Sequence, residues 1–131
     1  MEMMIDFPGG SRVDAHFKDF TVATDQPPVA SAPSPFELFL ASIGTCAGIY
    51  VLGFCRQRNL PTEGLRIVER IDHNRNTGML ETIGLEIQLP AGFPEKYREA
   101  LIRSAEQCAV KKAIEKPPRF EVITSEAKVS D

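Results

Sequence analysis

The residues of this sequence with the most chemistry to offer are its three cysteines, Cys46, Cys55 and Cys108. A thiolate is a strong nucleophile that oxidises to a sulfenic acid, and a sulfenic acid condenses with a second thiol to form a disulfide. Geometry limits which pairs can form. Cys46 and Cys55 lie nine residues apart in one apolar stretch, which on a helix is a half-turn in azimuth and roughly 13 Å along the axis. A disulfide needs Cα atoms within about 7 Å, so these two cannot bridge inside an intact helix. Cys46–Cys108 and Cys55–Cys108 both remain open. The plain alternative is that the cysteines are small hydrophobes in a core, and their replacement would then alter stability alone.

Other chemistries find less support. His16 and His73 are the two histidines; both fall in strand-like segments, and neither belongs to an HxxxH or HExxH pair. With no CxxC pair either, no metal site is expected. The sequence contains no GxxxxGK[ST] phosphate loop and no GxSxG elbow, and Gly9-Gly10 reads as a turn. Nothing calls for a cofactor. The formal net charge of −3 gives no overall pull on nucleic acid or on an anionic membrane. Three cysteines are too few and too odd in number for a secreted disulfide scaffold. The N-terminus lacks the basic and apolar regions of a signal peptide. A reducing cytoplasm is the expected compartment.

The elements that must position the thiols can be read from pattern. At 131 residues one domain over 1–131 is expected, able to bury roughly two-thirds of its unfolded surface. Residues 11–24 alternate around Val13, Ala15, Phe17, Phe20 and Val22, which predicts a hairpin with Lys18-Asp19 near its turn. The four prolines of DQPPVASAPSP then mark a loop. Ser34-Pro35-Phe36-Glu37 is a helix start, with Ser at the N-cap, Pro at the first helical position and Glu three residues past the cap. The helix should run to about Arg58, with Leu60-Pro61 ending it.

From Leu38 to Cys55 that helix carries no charge, a length that approaches a membrane span. Its interior Ser42, Gly44, Thr45, Gly48 and Gly53, and the soluble flanks, favour a helix buried in a fold or a dimer. Gly44 and Gly48, one turn apart, admit close approach of another backbone. Residues 64–73 and 80–89 alternate about a turn-rich NRNTG and predict an antiparallel hairpin. Glu95 to Lys116 reads as one amphipathic helix with Tyr97, Leu101, Ala105 and Cys108 along a stripe, its acids first and its lysines last. Lys111, Lys112, Lys116 and Arg119 read as a solvated helix end. PPRFEVIT predicts a final strand. Strands, long apolar helix, hairpin, second helix and strand make an α+β domain with antiparallel sheets.

The stretch APSPFELFLASIGTCAGIYVLGFCRQRNLP resembles the central-helix signature of the OsmC/Ohr family, the osmotically inducible and organic hydroperoxide resistance proteins. The segment matches P-x-E-L-[LF]-x-A-[AS]-[IL]-[GA]-x-C at Pro35, Glu37, Leu38, Ala41, Gly44 and Cys46. The likeness is specific over residues 33–48 and looser elsewhere, and it is nearer an OsmC-like branch than Ohr proper. It implies antiparallel sheets packed around a long central helix in an intertwined homodimer. It also implies a thiol peroxidase acting on organic hydroperoxides, with sites at the subunit interface. By the same resemblance Cys46 would attack and become a sulfenic acid, Cys108 would resolve it as a disulfide, and an external dithiol would reduce that disulfide.

The family also pairs an arginine with the glutamate of its signature to activate the thiolate; Glu37 matches that glutamate, and Arg12 is the corresponding candidate arginine. Cys46 lies too deep in its own helix for that helix's dipole to reach it, so burial would raise its pKa unless a cation stood near. That places the demand on Arg12. Glu37 is equally explained by helix capping, and at nine residues from Cys46 it lies on the opposite helix face. Many members carry proline after the second cysteine; Ala109 stands there instead, so the second helix is expected to continue through Cys108. A reading of a different class makes the chain a non-catalytic dimer that binds a small molecule in an apolar interfacial pocket.

Overall fold

Alternation around Val13, Ala15 and Phe17 and again at Phe20 and Val22 yields the expected pair of strands, β2 (Arg12–Phe17) and β3 (Phe20–Thr24). The computed structural model describes residues 1–128, and in it Lys18 turns this hairpin with a positive φ of 50°. A further strand, β1 (Met4–Gly9), precedes them and was not expected. It pairs antiparallel with β2, Ile5 opposite Ala15, to give the sheet order β1-β2-β3. Gly9 and Gly10 make the intervening turn, both at positive φ, where a side chain would be strained.

Asp25, at the end of β3, is buried and organises the proline-rich loop. Its carboxylate accepts from the Ser11 hydroxyl, from the backbone N–H of Gln26 and from both the N–H (2.8 Å) and the hydroxyl (2.7 Å) of Ser31. Its own N–H donates to the Pro33 carbonyl at 3.1 Å, so the loop closes on itself before the next helix begins. These donors hold the Asp25 carboxyl far below the ordinary carboxylate range.

Helix α1 (Pro35–Gln57) starts where the sequence signals it. Ser34 accepts from the Glu37 N–H, and Glu37 Oε1 accepts from the Ser34 N–H, completing a capping box. By length and composition alone α1 is apolar enough to cross a bilayer. One of its faces instead carries the core: Ile43, Ala47, Val51, Phe54 and Cys55 are buried. Val51, Phe54 and Cys55 cluster with Phe93 and Leu101, packed round by Leu65, Ile67, Ile87 and Tyr97. Each fully buried Val or Leu in such a cluster contributes roughly 1.5–3 kcal/mol.

The second hairpin comprises β4 (Arg66–His73) and β5 (Leu80–Gln88), paired with Ile67 opposite Ile87 and Ile71 opposite Ile83. The architecture is α+β, with two antiparallel sheets and a long central helix.

Two expectations fail beyond this point. The helix read as continuous from Glu95 to Lys116 is three pieces: a 3-10 turn at Glu95–Tyr97, α2 (Arg98–Ala105) and α3 (Ala109–Glu115). Cys108 between the last two has an extended ψ of 120° and caps the next helix with its buried sulfur, which accepts the Lys111 N–H. The expectation that Ala109 would let the helix run through Cys108 is therefore overturned. The strand expected from PPRFEVIT is likewise not formed: residues 117–128 have no regular structure, and among the described residues they join neither sheet.

Replacing Asp25 by Asn keeps the size and removes the charge. We expect a lowered melting temperature at neutral pH. Because the native pKa is depressed, this stabilisation is full above the unfolded carboxyl's pKa and is lost as pH falls. The gap between wild type and Asp25→Asn should therefore narrow from pH 5 downward, and a gap independent of pH would refute the account.

Candidate thiol site

The break at Cys108 decides the chemistry of the site. As N-cap of α3, Cys108 accepts the Lys111 N–H on its sulfur at 3.4 Å, and its thiol lies 3.9 Å from the Ile43 carbonyl of α1. Ile43 and Cys46 are one turn apart, so the two cysteines meet across the α1–α3 contact. Cys46 is half-buried, Cys108 is 2% exposed, and both are free thiols.

The surroundings push the two thiols in opposite directions. The Cys46 pKa is lowered, first by the backbone N–H of Val110 and then by the Cys108 thiol, against desolvation, with the backbone N–H of Ala109 contributing least. Hydrogen bonds to a thiolate favour the charged form, and amides at the start of a helix are the groups best placed to supply them. The Cys108 pKa is raised, chiefly by burial, with the neighbouring Cys46 adding to the rise. The pair thus has one sulfur disposed to ionise and one disposed to remain a donor. The sequence argument that Cys46 lies too deep in α1 for a helix dipole holds for its own helix, but α3 supplies the missing amides.

Arg12 and Glu37 are not brought to this pair within the chain. The Arg12 guanidinium forms a two-pronged contact with Asp14, its Nη2 3.0 Å from both carboxylate oxygens. The Glu37 carboxylate is held on the Ser34 N–H, which lowers its pKa. Cys55 is fully buried on the far side of α1, and burial pushes its thiol pKa up. Among the described residues no cluster of three His, Cys, Asp or Glu side chains is placed to hold a metal ion.

Beside Cys108 is a cavity of about 570 Å³, which Cys46 does not line. Phe39, Ile43, Ala47, Ile83 and Ile102 line it together with Cys108, and Glu106 and Lys111 give it a polar side. The amides of Ala109 and Val110 were not identifiable from sequence, since they act only through the break at Cys108.

Alkylation across a pH series should label Cys46 first, at a pH below the usual thiol range, and Cys108 only at higher pH. Cys108→Ala removes a donor and should move the Cys46 midpoint upward, while Cys108→Ser, which keeps a donor, should move it less. Labelling of both cysteines at one common midpoint would contradict this assignment.

The chain has counterparts in family and fold among known proteins. The family described as OsmC-like protein matches residues 28–123, well over half the chain and including both thiols. No curated protein matches the chain. Among solved structures, an Aquifex aeolicus protein given as hypothetical superposes with a TM-score of 0.72 at 16% identity, covering 88% of this chain and 87% of that one. A Psychrobacter arcticus protein, provisionally described as an osmotic stress induced and detoxification response protein, gives 0.70 at 17% identity over 85% of each chain. An OsmC-like protein of unknown function from Vibrio cholerae gives 0.60 at 11% identity, covering 87% of this chain and 92% of that one. At these identities the likeness is one of fold. The family match over residues 28–123, with the shared fold, places the chain in the OsmC-like family.

Proposed function

We propose that the chain is a thiol-dependent peroxidase that reduces organic hydroperoxides, with Cys46 as the attacking and Cys108 as the resolving thiol. The observation that carries the reading is the meeting of the two thiols across the α1–α3 contact, where the Cys108 sulfur lies 3.9 Å from the Ile43 carbonyl and accepts the Lys111 N–H, with the Cys46 pKa lowered and that of Cys108 raised. The Cys46 thiolate attacks one oxygen of the hydroperoxide group; the O–O bond breaks, an S–O bond forms, and the alkoxide leaves as an alcohol after taking a proton. Cys108 then attacks the sulfenic sulfur, an S–S bond replaces the S–O bond, and water departs. Loss of the thiolate charge at Cys46 removes one of the effects that raised the Cys108 pKa, so the resolving step follows from the attacking one. An external dithiol takes the disulfide back to two thiols. The apolar cavity beside Cys108 suits a hydrocarbon-bearing substrate.

In this reading the working unit is a homodimer, and Arg12 and Glu37 enter the site across its interface. α1 is unbroken, so Glu37 stays roughly 13 Å from Cys46 along its own helix. Three apolar surfaces support a second copy. Ala41, Thr45 and Ile49 expose an uncharged face of α1, β1 is exposed along its length with Phe7 at 79%, and the tail exposes Phe120, Val122 and Ile123. Apolar exposure on this scale marks an association surface. Three unpaired thiols suit a reducing cytoplasm. The cavity beside Cys108 also favours a second reading, a binding module for an apolar molecule without turnover.

One equivalent of cumene hydroperoxide should remove two thiols and about two mass units from the wild type, with peptide mapping joining Cys46 to Cys108. Cys46→Ser should show no such loss. Unchanged thiols in folded wild type would leave the binding-module reading. Sedimentation at micromolar concentration should show a dimer, and a stable monomer would refute the interface model.

A further inference from the structure

A disulfide between Cys46 and Cys108 has two ends, and a reducing thiolate that attacks one sulfur expels the other. The incoming sulfur travels along the extension of the bond that breaks. It must therefore reach its target from the side away from the leaving sulfur. The cavity of about 570 Å³ is lined by Cys108 and not by Cys46, so it meets the pair on the Cys108 side. Cys108 is otherwise buried, which makes this cavity the route to its sulfur. Cys46 shares its side of α1 with Ile49, one turn on, and Ile49 lies on the exposed face that the dimer reading gives to a second copy.

The two leaving groups differ in the same sense. Attack at Cys108 expels Cys46, whose thiolate the surroundings favour, whereas attack at Cys46 would expel Cys108, whose thiolate burial disfavours. The sulfur of lower pKa leaves faster. The cavity lining selects among reductants. Leu85, Ile87, Ile102 and Ile114 make it apolar. Its ionisable side chains besides Cys108 are Glu81, Glu106, Glu115 and Lys111. Lys111 Nζ lies 3.7 Å from Glu115 Oε1, so Glu81 and Glu106 leave the lining negative, and a thiol bearing a carboxylate is repelled.

We propose that an uncharged, hydrocarbon-bearing dithiol enters this cavity and attacks the Cys108 sulfur, so that Cys108 and not Cys46 carries the mixed disulfide. The inference rests on the peroxidase reading for the place of the Cys46–Cys108 disulfide in a cycle. In the first step the reductant's thiolate bonds to Cys108 Sγ, the Cys46–Cys108 bond breaks, and Cys46 departs as a thiolate. In the second, the reductant's other thiol gives up its proton and attacks the reductant sulfur of the mixed disulfide. Cys108 leaves and takes up a proton, and the reductant is released as a cyclic disulfide.

Diamide makes the disulfide in the full chain without any hydroperoxide, so the two readings are tested apart. A bond that diamide makes and cumene hydroperoxide does not would overturn the peroxidase reading alone. The diamide-oxidised protein is then exposed briefly to 1-butanethiol, quenched in acid, alkylated with N-ethylmaleimide and mapped. Butylthio on Cys108 with maleimide on Cys46 is expected, in excess of the reverse by about tenfold. The reverse pattern, or equal labelling, would overturn the proposal, as would a failure of diamide to join Cys46 to Cys108. 3-Mercaptopropionate has a similar chain and a carboxylate. Relative to each thiol's rate on 2-hydroxyethyl disulfide, it should open the protein disulfide several-fold more slowly than butanethiol, by a margin that shrinks in salt. Equal relative rates would remove the cavity from the reaction and overturn the proposal. Ile102→Trp, which narrows the cavity, should slow butanethiol several-fold. Glu106→Gln, at an exposed position where folding is not at stake, should bring 3-mercaptopropionate closer to butanethiol, and an unchanged ratio would count against the proposal.

Discussion

The contact between α1 and the start of α3, where Cys108 lies against Ile43 and beside Cys46, is the constraint on which the site depends. It requires a helix to stop and restart at Cys108, with the cap sulfur facing inward and the amides of the new turn directed at α1. A continuous second helix would have tied the Ala109 and Val110 amides into its own ladder. The irregular backbone between Ala105 and Ala109 is thus what turns two buried thiols into an unequal pair. The source of that inequality is notable for being uncharged. Fixed amide dipoles at short range are screened by salt far less than an arginine at the surface would be.

α1 serves three neighbours at once, which explains its composition. One face takes the core through Val51, Phe54 and Cys55. A second presents Ile43 and Cys46 to Cys108. A third, kept to Gly44 and Gly48, lets β4 approach closely enough for a carboxyl to rest on the helix backbone. These three faces account for part of the apolar run that resembles a membrane span; Ala41, Thr45 and Ile49 are uncharged too, yet exposed.

Much of this was legible in sequence because the signals were local. The capping box of Ser34 and Glu37 is a four-residue pattern and needed no tertiary context. Both hairpins announced themselves by alternation and turn residues, and the separation of Cys46 from Cys55 followed from helix geometry alone. What was not legible depends on contacts distant in sequence. β1 contains Pro8 and is exposed on both faces, so it lacks the alternation that marks a half-buried strand. The break at Cys108 carries no glycine or proline; it exists because the sulfur is better placed against α1 than along α2. The tail from Pro117 has a strand's composition, but a strand also needs a neighbour. Glu69 looked like the polar phase of an alternating strand, and only the glycine facing it distinguishes it. Arg12 and Glu37 were matched to a motif, and within the chain each is held by a residue close in sequence, Asp14 and Ser34.

The loop between β3 and α1 bears on how this fold can vary. Asp25 and Pro33 are joined by one backbone hydrogen bond, and the Asp25 carboxylate fixes Ser31 just short of that junction. The segment from Gln26 to Ala30 is therefore an excursion whose ends are fixed independently of its length. Extending such a loop adds closure entropy only logarithmically, about 0.6 kcal/mol per doubling. Residues inserted near Val29, itself 87% exposed, would leave the sheet, the helix start and both thiols where they are. This is where the chain can accommodate an epitope, a reporter or a change in natural length without disturbing the rest.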